Sequence, residues 1–395
     1  MKDATKAVIA GRRPKDNHGI VNPPVYHAST IIASSLADYR ARRDIPPGDG
    51  LTYGIHGTPG TYAFEEAVAA LEGGYRTRLC QSGLTAVAAP LLSYLSTGDH
   101  VLMVDSVYGP GRTLCDGMLK RMGIETTYYD PLIGGAIRDL IRPNTKVVYV
   151  ESPGSWTFEV QDIPAIAEEA KKRGAIVMMD NTWASPLYFK PFEHGVDVSI
   201  QAATKYIAGH SDLLMGTVTT TKEAYPKLRT GWRELGLCAG PDDVFLAMRG
   251  FRTIATRLKQ HWESGLVMGE WLMAQPEVAE VIHPAMPHDE GYRLWKRDFL
   301  GAASLFAFVL KPEYSSEPHL AALLDQLEHY GMGASWGGFE SLLIPVDPPT
   351  RRSATAWPRP GRPAGQVMRI HIGLEDIGDL IEDLKTGFER MNKVG

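Results

Sequence analysis

Three stretches of this 395-residue chain end in residue types that can do chemistry. The run AIVMMD (175–180) closes on an acid, Asp180, and VSIQA (198–202) is followed by Thr204 and Lys205. CQSGLTAV places Ser82 and Gly83 ahead of a run that reads as a helix. In an open α/β sheet, ligands gather outside the carboxyl ends of the strands. One acid, one amine and one helix N-terminus at candidate strand ends therefore suit a single cofactor. Each feature has a plainer reading: a lone lysine is usually a solvated charge, a strand-end Asp a turn residue, a Ser-Gly a helix cap. Lys205 follows an apolar strand, which turns it inward.

Pyridoxal phosphate (PLP) asks three things of a protein: a lysine for its imine, an anion beside the pyridine nitrogen, and a phosphate site. Lys205 can be the imine lysine and Asp180 can keep the ring nitrogen protonated. Gly83 and Leu84 can offer backbone N–H groups to the phosphate, aided by the helix dipole, and Thr204 can add a hydroxyl.

The elements around these residues point to an α/β fold. HVLMVD (100–105), KVVYVES (146–152), AIVMMD and VSIQA are continuous apolar runs, as expected of strands buried on both faces of a mostly parallel sheet. TYAFEEAVAALEGG, SGLTAVAAPLLSYLSTGD and IPAIAEEAKKRG (163–174) read as covering helices, two of them with glycine stops. The C-terminal third predicts a smaller α+β domain. Its strands are ASLFAFVLK (303–311) and QVMRIHIGLED (366–376), and its helices HLAALLDQLEHYG (319–331) and IGDLIEDLKTGFERM (377–391). The Pro/Arg-rich segment 345–365 is expected to be a surface loop. Residues 1–55 form an irregular arm folding against something else, 56–250 the cofactor-binding large domain, and 251–395 the small domain; a disordered tail is the alternative for the arm.

A net charge of −5 argues against nucleic-acid binding. Cys80, Cys115 and Cys238 are too few and too scattered for a disulfide framework or a metal site, so no metal is expected. No apolar run approaches a membrane span and the N-terminus has no apolar core of a signal peptide, so a soluble cytoplasmic protein is expected. The GxGxxG of a dinucleotide-binding dehydrogenase is absent.

Longer strings go beyond pattern. PNTKVVYVESPGS (143–155), DNTWASPLYFK (180–190), DVSIQAATKYIAGHSD (197–212), SWGGFESL (335–342) and RIHIGLEDIGDLIEDL (369–384) resemble the Cys/Met-metabolism PLP enzymes of fold-type I, and most of all the bacterial cystathionine β-lyases. The resemblance runs from about residue 50 to the C-terminus. It implies a fold-type I PLP-dependent transferase-like architecture. It assigns the PLP bond and the Cα proton to Lys205, the pyridinium to Asp180, the phosphate to Gly83, Leu84 and Thr204, and ring stacking to Tyr108, with proton transfer as that residue's alternative catalytic role. Arg369 would clamp the substrate's α-carboxylate, and Ser335 and Trp336 would line the substrate site. Tyr53 would reach the phosphate of a neighbouring subunit, which implies a homotetramer of two dimers with shared active sites.

The implied reaction is β-elimination of cystathionine, or of related cysteine S-conjugates, to homocysteine or another thiol, pyruvate and ammonia, a step of methionine biosynthesis. γ-Lyase, γ-synthase and amino-acid racemase chemistry on the same scaffold are alternatives; a PLP-binding protein without turnover is a remote one. Two departures bear on specificity. Ile55 stands where many members carry a phosphate-binding arginine, and His56 where the lyases direct a second arginine to the substrate's far end. Arg233 falls near an expected tyrosine, whereas Ser155 agrees with the β-lyase pattern.

Overall fold

The apolar runs pair side by side into a sheet whose carboxyl ends form one edge. In the computed structural model, which describes residues 1–394, seven strands build the first sheet. They are β1 (Arg76–Cys80), β2 (His100–Val104), β3 (Glu125–Tyr129), β4 (Thr145–Glu151), β5 (Ile176–Asp180), β6 (Val198–Ala202) and β7 (Gly216–Thr220). Their order is β1-β7-β6-β5-β4-β2-β3. β7 runs antiparallel to both neighbours and the other pairs are parallel, so β1 points the same way as β6. β2 is buried at every position, and in β4 only Lys146 reaches solvent, as the absence of polar alternation requires.

Helices flank this sheet with caps that can be read residue by residue. Pro59–Glu72 starts on Thr58, whose hydroxyl accepts from Thr61 N, and stops at Gly73, which takes φ 79°. Gly83–Tyr94 starts on Ser82, whose Oγ accepts from Thr85 N at 3.1 Å.

A second sheet has the order β10-β11-β12-β9-β8, with β8 Val278–Ile282, β9 Leu305–Leu310, β10 Tyr330–Gly331, β11 Ser341–Val346 and β12 Val367–His371. It carries its own apolar cluster, including Phe306, Phe308, Ile370, Leu380 and Leu384, against the amphipathic helix Ile377–Met391.

Two expectations are corrected. The helix expected over 319–331 spans Glu317–Leu324. Beyond it, Asp383 accepts from the backbone N–H groups of Glu328 (3.1 Å) and His329 (2.8 Å), and Tyr330 pairs with Ser341 in β11. Tertiary partners thus take the donors that a longer helix would have used. Segment 345–365 is not simply a surface loop: Pro345 and Val346 finish β11, and the rest crosses the first sheet as a strap. Its Arg352 and Arg359 reach inward because carboxylates, the buried Glu159 and the part-exposed Asp130, are there to pair them.

The first fifty residues hold two short helices, Asp3–Ile9 and Leu36–Arg42. The first packs on its own chain, with Ala7 buried and Asp3 paired to Lys190 at 2.8 Å. Further along, Ile20, Ile32, Leu36 and Tyr39 are exposed. Among the described residues, no helix is long and apolar enough to cross a membrane, and no cluster of His, Cys, Asp and Glu could hold a metal ion.

Candidate active site

A cavity of about 460 Å³ opens at the carboxyl ends of β1, β2, β4, β5 and β6. Topology explains the convergence. Cys80 and Ala202 both pair with Gly216, so the turn after β1 and the turn after β6 lie together. Gly83 is required there: a Cβ on it would come 2.7 Å from the Cβ of Ala202.

Lys205 sits in this cavity. Its Nζ donates to Ser335 Oγ and lies 5.3 Å from the Trp336 ring centroid. Burial pushes the amine down to about 8, with the Arg369 charge helping and Asp180 opposing. Asp180 ends β5, and its Oδ1 accepts from Thr182 N (3.0 Å) and Thr182 Oγ1 (2.5 Å). Burial raises its pKa in spite of those bonds; a cationic ring nitrogen beside it would draw it back.

The first turn of Gly83–Tyr94 also faces the cavity, and its backbone donors have no helical partner, which suits an anion. Thr204 faces the same space, but its hydroxyl exchanges hydrogen bonds with Met215, so it must rotate to serve an anion. Tyr108, 43% exposed, stands at the cavity wall. Burial and the nearby carboxylates of Asp180 and Glu151 raise its pKa, which keeps its phenol protonated.

From the second sheet, Arg369 on β12 donates through Nη2 to Ser335 O at 3.0 Å. Burial lowers its pKa to about 10, so it remains a cation at neutral pH. The loop carrying Ser335 and Trp336 is held tight against Lys205. Ser335 takes φ 92°, and a Cβ at Gly337 would lie 3.0 Å from Lys205 Cα.

The cavity thus gathers Lys205, Asp180, Gly83, Leu84, Thr204, Tyr108, Ser335, Trp336 and Arg369. Tyr53 and His56 lie outside its lining. Tyr53 is 47% exposed, its Oη accepting from Ser29 Oγ, while His56 Nδ1 meets Thr52 Oγ1 at 2.9 Å. Burial first, then the charges of Arg233 and Arg78, lower the His56 pKa, so the two departures from the family pattern share one neighbourhood.

Sequence reasoning missed Glu151. It ends β4 in register with Asp180 and is 7% exposed. Its Oε2 accepts from Tyr108 N at 2.7 Å and its Oε1 from Ser155 Oγ at 2.5 Å. Burial, then the Asp180 charge, raises its pKa. The signal that singled out Asp180, an acid closing a buried apolar run, was equally present in KVVYVE.

A part-buried amine of lowered pKa, a carboxylate in the same cavity, a helix N-terminus and a guanidinium, at one edge of a mostly parallel sheet, define the site of a fold-type I PLP enzyme. The residues present fit that cofactor: the amine can meet its aldehyde, Asp180 its ring nitrogen, and the first helical turn its phosphate. The family model described as Cys/Met metabolism PLP-dependent enzyme matches residues 4–389, and the chain belongs to that family. A putative cystathionine beta-lyase of Rhizobium johnstonii is 48% identical over 99% of this chain and 96% of its own. The cystathionine beta-lyase of Escherichia coli is 42% identical over 98% of each. Among solved structures, a cystathionine gamma synthase from Xanthomonas oryzae pv. oryzae, in complex with aminoacrylate and cysteine, superposes with a TM-score of 0.89. It is 29% identical, and the match covers 99% of both chains.

Proposed function

We propose that this protein is a PLP-dependent carbon–sulfur lyase that splits cystathionine, or a related cysteine S-conjugate, at the Cβ–S bond. The observation that carries the reading is the placement of Lys205 in one cavity with Asp180 and Arg369, its amine depressed to about 8. The likeness to cystathionine beta-lyases over nearly the whole chain supports the substrate class.

When bound, PLP supplies an electron-withdrawing ring that acidifies the substrate's Cα–H. Arg369 holds the substrate α-carboxylate, its guanidinium already oriented by Ser335 O. Lys205 takes the Cα proton; its lowered pKa leaves a useful fraction of neutral amine near pH 8. Ser335 Oγ holds that amine in place, and Asp180 holds the proton on the ring nitrogen. The Cβ–S bond then breaks, with sulfur leaving as thiolate. With one water consumed, cystathionine yields homocysteine, pyruvate and ammonia.

The exposed apolar side chains of the arm, and the position of Tyr53 and His56 outside their own cavity, support an arm that reaches a second copy. Tyr53 would then bind the neighbour's phosphate and His56 the far end of its substrate, in a cytoplasmic homotetramer of two dimers serving methionine biosynthesis. Ile55 takes the place of a phosphate-binding arginine, so phosphate binding leans on the helix N-terminus and Tyr53.

The test is product analysis of purified enzyme supplied with L-cystathionine. Pyruvate with homocysteine is expected, and Lys205→Ala should abolish both. Formation of 2-oxobutyrate in place of pyruvate would shift the reading to γ-elimination.

A further inference from the structure

Asp105 follows β2 and lines the cavity, but the hydrogen bonds of its carboxylate go to other protein groups. Its carboxylate is 1% exposed, yet it is saturated by a segment far away in sequence. Oδ2 accepts from the backbone N–H groups of Ala354 (3.0 Å) and Thr355 (2.8 Å) and from Thr355 Oγ1 (2.9 Å). Oδ1 accepts from Ser353 N (3.0 Å), Ser353 Oγ (3.2 Å) and the Arg112 guanidinium. Three successive N–H groups converging on one anion form a nest, supplied here by the strap and filled by a carboxylate of the first sheet.

The strap joins β11 to β12, so it leaves the second sheet, crosses the first and returns to the strand that carries Arg369. Two arginines repeat the attachment. Arg352 pairs with Glu159 at 2.7 Å and also donates to Thr157 Oγ1; Arg359 pairs with Asp130 at 2.6 Å.

The strap is also part of the cavity. Pro348 and Arg352 line it together with Lys205, Asp180 and Arg369, and so does Trp156, next to the Thr157 that Arg352 holds. Lys205, Asp180, Arg369 and the Gly83 turn are committed to the cofactor and the amino-acid head. Trp156, Pro348 and Arg352 are among the lining residues left to meet the rest of the substrate, beside any group a second copy brings. We propose that the strap is the wall that reads the group beyond the substrate's sulfur, and that Asp105 is the positioning residue that holds this wall in place. The proposal rests on the lyase reading and adds a specificity element to it.

Two variants test it from opposite sides. Asp105→Asn turns an amide nitrogen toward N–H donors. Ala354→Pro removes one of those donors from the strap and touches no residue of the cofactor site. Pyruvate release is measured with L-cystathionine and with S-methyl-L-cysteine, whose sulfur carries only a methyl group. Trypsin cleavage after Arg352, which Ser353 follows, is tracked by mass spectrometry on the holoenzyme. In each variant the strap should become cleavable. The kcat/KM ratio of cystathionine to S-methylcysteine should fall about tenfold through KM, a change of about 1.4 kcal/mol. In Ala354→Pro, kcat for S-methylcysteine should stay within about threefold of wild type.

A strap that is cut while the ratio holds would overturn the role as a wall. A strap that stays protected in both variants would overturn the role of Asp105. Should Asp105→Asn fail to fold, Ala354→Pro carries both readouts alone. Wild-type enzyme that releases pyruvate from neither substrate would defeat the lyase reading and the wall with it, while the trypsin result would still judge the pin separately.

Discussion

Replacing Arg369 by lysine keeps a positive charge on β12 but removes the planar fork. In the structure one edge of the guanidinium is engaged by Ser335 O at 3.0 Å, which aims the group into the cavity. A lysine ammonium can make one bond to a carboxylate where the guanidinium makes two. A charge-assisted hydrogen bond contributes about 1.5–3 kcal/mol, so Arg369→Lys should raise KM for cystathionine about 10- to 150-fold. The clamp acts on the ground state and the transition state alike, so kcat should change little. Arg369→Met goes further. It should raise KM by a larger factor and also lift the Lys205 pKa, because the Arg369 charge is the second cause holding that amine down. The assay is initial-rate pyruvate release against cystathionine concentration between pH 7 and 10. Arg369→Met should need a higher pH than Arg369→Lys to reach half its maximal kcat. An Arg369→Lys enzyme with KM within about twofold of wild type, its loss all in kcat, would refute the reasoning.

Asp180→Asn removes the charge that holds the ring nitrogen's proton and should lower kcat about 10²- to 10³-fold while Lys205 still binds PLP; steady-state rates and the cofactor absorbance check this. Glu151→Gln keeps an acceptor for Tyr108 N, and Ser155 can reverse its hydroxyl, whereas Glu151→Ala leaves that N–H unpaired. The alanine variant should be less stable than the glutamine variant by about 1–3 kcal/mol in urea unfolding, and equal stability would contradict the positioning described. Cofactor-free Lys205→Met should be more stable than cofactor-free wild type near neutral pH. The amine's fall from its ordinary value to about 8 corresponds to up to about 3 kcal/mol. Between pH 8 and 10.5 the unfolded chain binds more protons at this site than the folded one, so wild-type stability rises with pH there and the advantage of methionine fades. Paired urea titrations at pH 7 and pH 10.5 measure it.

Legibility in the sequence followed burial. HVLMVD, KVVYVES, AIVMMD and VSIQA became β2, β4, β5 and β6 within a residue or two, because strands covered on both faces leave no polar alternation to misread. The helix Ile377–Met391 came out at its expected ends, since Asp376 caps one of them. Asp180 was visible as an acid closing an apolar run, and Lys205 as an amine three residues beyond one. Glu151 and Asp105 obey the same rule and were passed over. Their partners, Tyr108, Ser155 and residues 353–355, are assembled only by the sheet register and the strap. The strap itself read as surface because proline and arginine usually are. Its anchors, Glu159 and Asp130, lie about two hundred residues earlier in the chain. The shortened helix at Glu317–Leu324 has the same cause: Asp383, far along the chain, captures donors that local propensity would assign to the helix.

The most direct measurement of the central claim is borohydride reduction of PLP-saturated protein, followed by proteolysis and mass mapping of the pyridoxyl group. The account predicts one modified peptide, carrying the label on Lys205. A label on any other lysine, with Lys205 recovered unmodified, would contradict it.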